Sequence, residues 1–302
     1  MLFALAVIPV IVLLIIIYVK DKKEKEPIGL LIGLFFAGMS TVIPAFIAEV
    51  IGELIMNLII PYDSVIKAVL IAALLVGPVE EMGKYIVLRK ITWRSKHFDY
   101  SYDAIVYGVF TSLGFAAIEN VGYVFTNGLG TAILRMFTAV PGHACFGVFM
   151  GFFFSKAKYA EITNNRQDYK TYNRLSVVVP MLLHGIYDAF PMGAAASGEL
   201  ILAGLGILLW ILYVLVLFAV SCIIIVKSSQ NDFCIVSLPG AVQTFYRPAV
   251  IGVWNCACGR VNQLNFCSTC GRPRPMVNGW TCPRCGTLSA LNFCGNCGYR
   301  AM

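Results

Sequence analysis

Up to Lys227 the apolar residues fall in long blocks separated by short polar loops; beyond that point the pattern stops. Apolar blocks of about 17–25 residues have the length of a membrane-crossing helix. Seven are read, at approximately 2–19, 28–53, 65–88, 103–125, 132–154, 176–193 and 200–226. The last is rich in Leu, Ile and Val and carries no charge, as suits a plain anchoring helix facing lipid. The sixth is short and broken by Pro180 and Pro191. Such breaks are tolerated where neighbouring helices satisfy the freed backbone groups, often at a site. The expected fold is an all-α polytopic membrane protein of about seven transmembrane helices over residues 1–226. A linker, 227–253, and a small appendage, 254–302, complete the chain.

Composition agrees: 59% of residues are hydrophobic and 13% charged, which excludes an ordinary soluble domain. Basic residues then orient the spans. Lys20, Lys22, Lys23 and Lys25 follow span 1; Arg89, Lys90, Arg94 and Lys96 follow span 3; Lys156, Lys158, Arg166, Lys170 and Arg174 follow span 5. The other connections hold almost none, Lys67 and Arg135 being the exceptions. This alternation predicts an integral, multi-pass protein (in the cell membrane if the source is prokaryotic), with the N-terminus outside and the appendage cytoplasmic. Met1 begins span 1 without a basic leader region or a small-residue cleavage site, so a retained first span is expected.

Six ionisable groups interrupt the apolar blocks: Glu80 and Glu81 in span 3, Glu119 in span 4, His143 near the middle of span 5, and His184 and Asp188 in span 6. At bilayer depth each costs roughly 2.5–3.5 kcal/mol on insertion scales. Any one alone could be a satisfied polar contact between helices. Six together, from residue types that bind metals or move protons, point to a reaction centre. Helical spacing puts Glu80 and Lys84 on one face, with Glu81 turned about 100° away. Lys84 can then offset one carboxylate and leave the other as a base or ligand. His184 and Asp188 are also one turn apart, so Asp188 can share a metal with His184 or orient its ring. Two imidazoles with one or two acids make a divalent-metal set with an open position for water. Glu49 and Glu53 are assigned to the outer interface, outside the site. Asp103 suits a helix N-terminus, and Cys145 and Cys222 read as apolar fillers.

The ordered set Glu80-Glu81-x-x-Lys84, Phe115-x-x-x-Glu119 and His184-x-x-x-Asp188, with His143 in the intervening helix, resembles the PrsW family of intramembrane proteases. The resemblance covers roughly residues 1–226 and implies hydrolysis of a peptide bond in a membrane-associated protein. It also implies kinship with the CAAX endopeptidases and bacteriocin-processing homologues. In that setting Glu80 or Glu81 activates water, and Glu119, His143, His184 and Asp188 hold a metal or position the water directly. No His-Glu-x-x-His, Gly-x-Ser-Gly or Gly-x-Gly-Asp pattern of the other intramembrane protease classes occurs. Two other readings compete. A proton-coupled transporter would also bury such acids, but it predicts an internal repeat that the spans lack. A membrane scaffold recruiting partners through the appendage leaves the cost of the buried groups unexplained.

Eight of the eleven cysteines lie in the appendage. They form two similar units, Cys256, Cys258, Cys267 and Cys270, then Cys282, Cys285, Cys294 and Cys297. Trp254 and Trp280 lead the units, and Leu-Asn-Phe precedes each closing pair. This spacing predicts two structural four-cysteine Zn²⁺ sites, resembling a double zinc ribbon, with the short Cys256-x-Cys258 a departure. Disulfides are the competing reading, and a reducing cytoplasm argues against them. Beyond residue 226, seven Arg and Lys face the single acid Asp232. That excess falls to about +2 once eight thiolates and two Zn²⁺ are counted. Nucleic-acid binding is therefore disfavoured, and a protein partner or substrate presentation is expected.

Overall fold

The computed structural model describes residues 2–236 continuously, together with 254–255, 261–262, 280–282, 284–285, 288–289, 297 and 299. It divides into two units, one holding the helices to Phe233 and one the cysteine-rich tail.

The first unit is all α. Helix α1 is Leu2–Lys20, and span 2 is two helices, α2 (Ile28–Ser40) and α3 (Val42–Ile59). Span 3 is α4 (Val65–Ile71), a π-helical segment Ala72–Val76, and α5 (Gly77–Thr92). Then follow α6 (Asp103–Phe137), α7 (Ala139–Ile162), α8 (Arg166–Ala196) and α9 (Leu200–Gln230). Among the described residues, five stretches are long and apolar enough to cross a membrane, α2 with α3 and α6 with α7 each counting as one. Span 3 is not among them, because it is broken into shorter pieces that carry Glu80, Glu81 and Lys84. Two expectations are corrected. Helix α8 runs unbroken through Pro180 and Pro191 and is much longer than the expected sixth span. His143 lies one turn inside the start of α7, not near its middle.

Small residues set the close crossings, as they do where helices pack in lipid without a hydrophobic driving force. A Cβ on Gly77 would sit 2.6 Å from the Gly185 nitrogen, and one on Gly185 would sit 2.9 Å from Ala73 Cα. The backbone of α8 therefore touches the π segment and the start of α5, one residue from His184. Between α6 and α7, a Cβ on Gly108 would meet the Gly147 oxygen at 2.4 Å, and one on Gly151 the Ala104 oxygen at 2.2 Å. That register places Ser112 against the start of α7, where its hydroxyl donates to the His143 carbonyl at 2.7 Å. π-Helical turns often mark functional sites; this one lies directly before Gly77 and the Glu80–Glu81 pair.

In the second unit, two short antiparallel pairs are described. Strand β1 (Trp254–Asn255) pairs with β2 (Val261–Asn262), and β3 (Trp280–Thr281) with β4 (Leu288–Ser289). The pairs recur at the offset of the sequence repeat. Cys282, Cys285 and Cys297 converge, with their sulfurs all within 4.8 Å of one another and not joined as disulfides. Cys256, Cys258, Cys267, Cys270 and Cys294 lie outside the described residues.

Candidate active site

The six groups meet around Lys84. Its ammonium is fully buried and donates to Glu81 Oε1 at 2.6 Å, Glu80 Oε2 at 3.2 Å and His143 Nδ1 at 3.1 Å. It also lies 4.1 Å from the centre of the Phe115 ring, which gives the aromatic of the Phe115-x-x-x-Glu119 pair its place. Lys84 thus touches both carboxylates rather than offsetting one. Glu81 has a second partner, His184 Nδ1, at 2.9 Å. Its other oxygen, Oε2, is buried with no hydrogen-bond partner.

The two histidines are held in the same way. His143 Nε2 lies 2.7 Å from Glu119 Oε2, and His184 Nε2 lies 3.2 Å from Asp188 Oδ2. His143, whose Nδ1 accepts from Lys84, donates through Nε2 to Glu119, whereas His184 has an acid on each nitrogen, Asp188 at Nε2 and Glu81 at Nδ1; both rings turn Nδ1 inward. A carboxylate on the outer nitrogen fixes ring orientation and tautomer. Phe146 stacks on His184 at 4.6 Å between centroids, which packs that ring from one side.

The four inward donors, from Glu80, Glu81, His143 and His184, can all lie within 4.8 Å of one another. Imidazole nitrogens with carboxylate oxygens suit a divalent ion. Two further observations fit one. With a carboxylate on each ring nitrogen, His184 calls for a positive charge, either a second proton on the ring or a metal on its Nδ1 side. The site also gathers Glu80, Glu81, Glu119 and Asp188 against two fixed cations, Lys84 and Arg135, in a low-dielectric setting that favours a further cation.

Comparison with known proteins decides between the competing readings. Residues 26–223 match the model of the PrsW family intramembrane metalloprotease. The chain belongs to the PrsW family. It is 40% identical over 206 residues to Protease PrsW of Oceanobacillus iheyensis, covering 68% of this chain and 88% of the relative. It is 32% identical over 216 residues to Protease PrsW of Clostridioides difficile (69% and 87%), and 36% identical over 180 residues to that of Bacillus subtilis (60% and 78%). No solved structure matches. PrsW proteins are intramembrane peptidases of metalloprotease type, so this chain is an integral membrane endopeptidase acting on a membrane-associated substrate, and the transport reading is not favoured. The family match ends before the cysteine-rich tail.

All six site residues named from the sequence come together in this PrsW protein. Glu49 is an addition. On α3 it faces the same centre, interacting electrostatically with Glu119, His184, Asp188 and Lys84, and its Oε1 is buried without a partner. The close fit of Gly52 on Leu75 of the π segment holds α3 in place there. Glu53 is exposed, so the Glu49–Glu53 spacing concealed two different environments. Phe146, an apolar residue in an apolar block, carries no signal in the sequence that marks it for the site.

Proposed function

We propose that Glu80, Glu81, His143 and His184 form the hydrolytic centre, with Glu119 and Asp188 as the acids that orient the two rings. The supporting observation is the shared arrangement of the histidines, Nε2 on an acid and Nδ1 turned to the centre. Glu80 is the general base. It is bonded to Lys84 at 3.2 Å, whereas Glu81 is fixed by Lys84 at 2.6 Å and His184 at 2.9 Å. Glu80 takes a proton from the attacking water and returns it to the leaving amine. Lys84 donates to both carboxylates and adds positive charge where the carbonyl oxygen becomes anionic.

Glu81, His143 and His184 would hold a divalent metal, with Glu80 beside it, the Lys84 ammonium giving up its contact with His143 Nδ1 to the ion. Bound there, the ion would lower the pKa of water and polarise the scissile carbonyl. Zinc is the expected ion, from the nitrogen and oxygen donors. The tail, residues 254–302, forms a cytoplasmic double zinc ribbon beyond the linker 227–253. It uses Cys256, Cys258, Cys267 and Cys270 for one Zn²⁺ and Cys282, Cys285, Cys294 and Cys297 for the other, and its role is to present substrate or bind a protein partner. The convergence of Cys282, Cys285 and Cys297 supports this reading.

The test is cleavage of fluorogenic single-span peptides by purified protein in proteoliposomes. Glu80→Gln, His184→Ala and chelator treatment should each remove activity. Undiminished cleavage by both variants would reject the assignment.

A further inference from the structure

Arg135 is an exception to the charge pattern of the loops, and no motif of the sequence includes it. Its position depends on an interruption of α6. Gly128 has φ 81° and ψ −161°, a backbone region open essentially to glycine. The chain reverses there. In a straight helix, residues 120 and 135 would stand about 22 Å apart. Instead, Arg135 Nε donates to Asn120 Oδ1 at 2.9 Å, and its terminal nitrogen lies 2.9 Å from Glu119 Oε2. The guanidinium also covers the Tyr123 ring at 4.0 Å. Asn120 is itself fixed, its amide donating to the Ala6 carbonyl at 3.0 Å, so α1 braces the arrangement.

Glu119 Oε2 is the oxygen that receives His143 Nε2. One carboxylate oxygen thus joins the guanidinium to the imidazole. We infer that Arg135 is a positioning residue for peptide hydrolysis, acting through Glu119 to hold His143 with Nδ1 toward the centre, and that the turn at Gly128 exists to deliver it. This rests on the assignment of His143 to the hydrolytic centre. Without Arg135, Glu119 would have a single cationic or imidazole partner and could swing, taking the ring with it. Lys67, the other exception at the same end, is paired with Asp63 at 3.0 Å and does not reach the centre.

The experiment is a double-mutant cycle on the full chain, with Arg135→Gln, Glu119→Gln and the pair, read as kcat and KM on a fluorogenic single-span peptide. Melting temperature is measured alongside. Loss of an outer partner to a ligand histidine typically costs about 10–100-fold. The expected result is a fall of that size in kcat for each single variant, with KM little changed, and a double variant no worse than the poorer single one. Arg135→Lys, which keeps the charge but not the fork, should recover part of the loss. Multiplying effects in the double variant, or a change confined to KM, would overturn the proposal. If Arg135→Gln does not fold, the cycle is run with Arg135→Lys, and additivity there is equally fatal. Wild-type kcat in Arg135→Gln with Glu80→Gln inactive would reject this role while leaving the hydrolytic centre standing.

Discussion

The helical unit buries carboxylates in two places, and the two are fastened differently. At the centre, Glu80, Glu81, Glu119 and Asp188 are met by Lys84, Arg135 and two imidazoles. At the end bearing the basic loops, Asp21, Glu26, Asp99, Asp103 and Asp232 are also buried. There backbone N–H groups and hydroxyls supply hydrogen bonds. Asp103 Oδ2 accepts from the nitrogens of Asp99 and Tyr100 at 3.1 and 2.7 Å, and Asp232 Oδ1 from Ser101 Oγ and the Tyr102 nitrogen, both at 2.8 Å. Glu26 Oε2 accepts from the Tyr107 hydroxyl at 2.6 Å. Lys25 bonds the backbone oxygen of Asp21, not its carboxylate. Among the described residues, only the centre and the Cys282 cluster bring three metal-type donors within 4.8 Å. Burial of acid alone therefore does not mark a reaction site. The loop-end cluster ties the α1–α2 and α5–α6 loops to the end of α9, whereas the central one turns its donors toward one another.

The largest expected difference is in chemistry. Glu80→Gln should lower kcat by about 10²–10⁴-fold, the usual worth of a general base. Glu26→Gln and Asp21→Asn should leave kcat within about twofold. A comparable loss in the loop-end variants would erase the contrast. Next comes stability. Lys84→Met leaves two buried carboxylates without their cation, which costs about 3–5 kcal/mol. The fall should appear as a lower melting temperature in detergent, and should shrink when Glu81→Gln is added. Asp188→Asn keeps the shape but weakens the hold on His184, so a loss of about 10–100-fold in kcat is expected. An unchanged rate would reduce Asp188 to packing.

The smallest effect separates the two clusters by pH. Burial first, then the neighbouring Asp99 and Asp21 charges, pushes Glu26 up to about 8 from its ordinary 4.5; burial likewise pushes Asp21 up to about 6 from 3.8. The folded protein then holds protons that the unfolded chain has released. Stability should therefore fall as pH rises from about 4 toward 8, and level off above that. Melting temperature measured from pH 5 to 9 checks this. Glu26→Gln should flatten the slope, and a slope unaffected by it would contradict the account.

Much of this contrast was legible in the sequence because it depends on depth. Mid-block acids and histidines are costly at bilayer depth, and turn spacing alone linked Glu80 with Lys84 and His184 with Asp188. The rest depends on distance in space. Nothing local to Arg135 shows that Gly128 returns it to Glu119. Glu49 looked interfacial because the break at Thr41, which separates α2 from α3, leaves no hydrophobic signal. The length of α8 was underestimated because proline and polar residues suggest an end where packing against α4, α5 and α9 carries the helix on.

The central claim is that four inward-turned donors form one hydrolytic metal centre, and it can be measured on the intact chain. Metal content and peptide cleavage are determined for the wild type and for the His143→Ala, His184→Ala double variant, both with the cysteine tail unaltered. The account predicts that the variant loses one tightly bound divalent ion per chain, together with cleavage, while the ions held by the tail remain. Equal metal content with cleavage retained would contradict it.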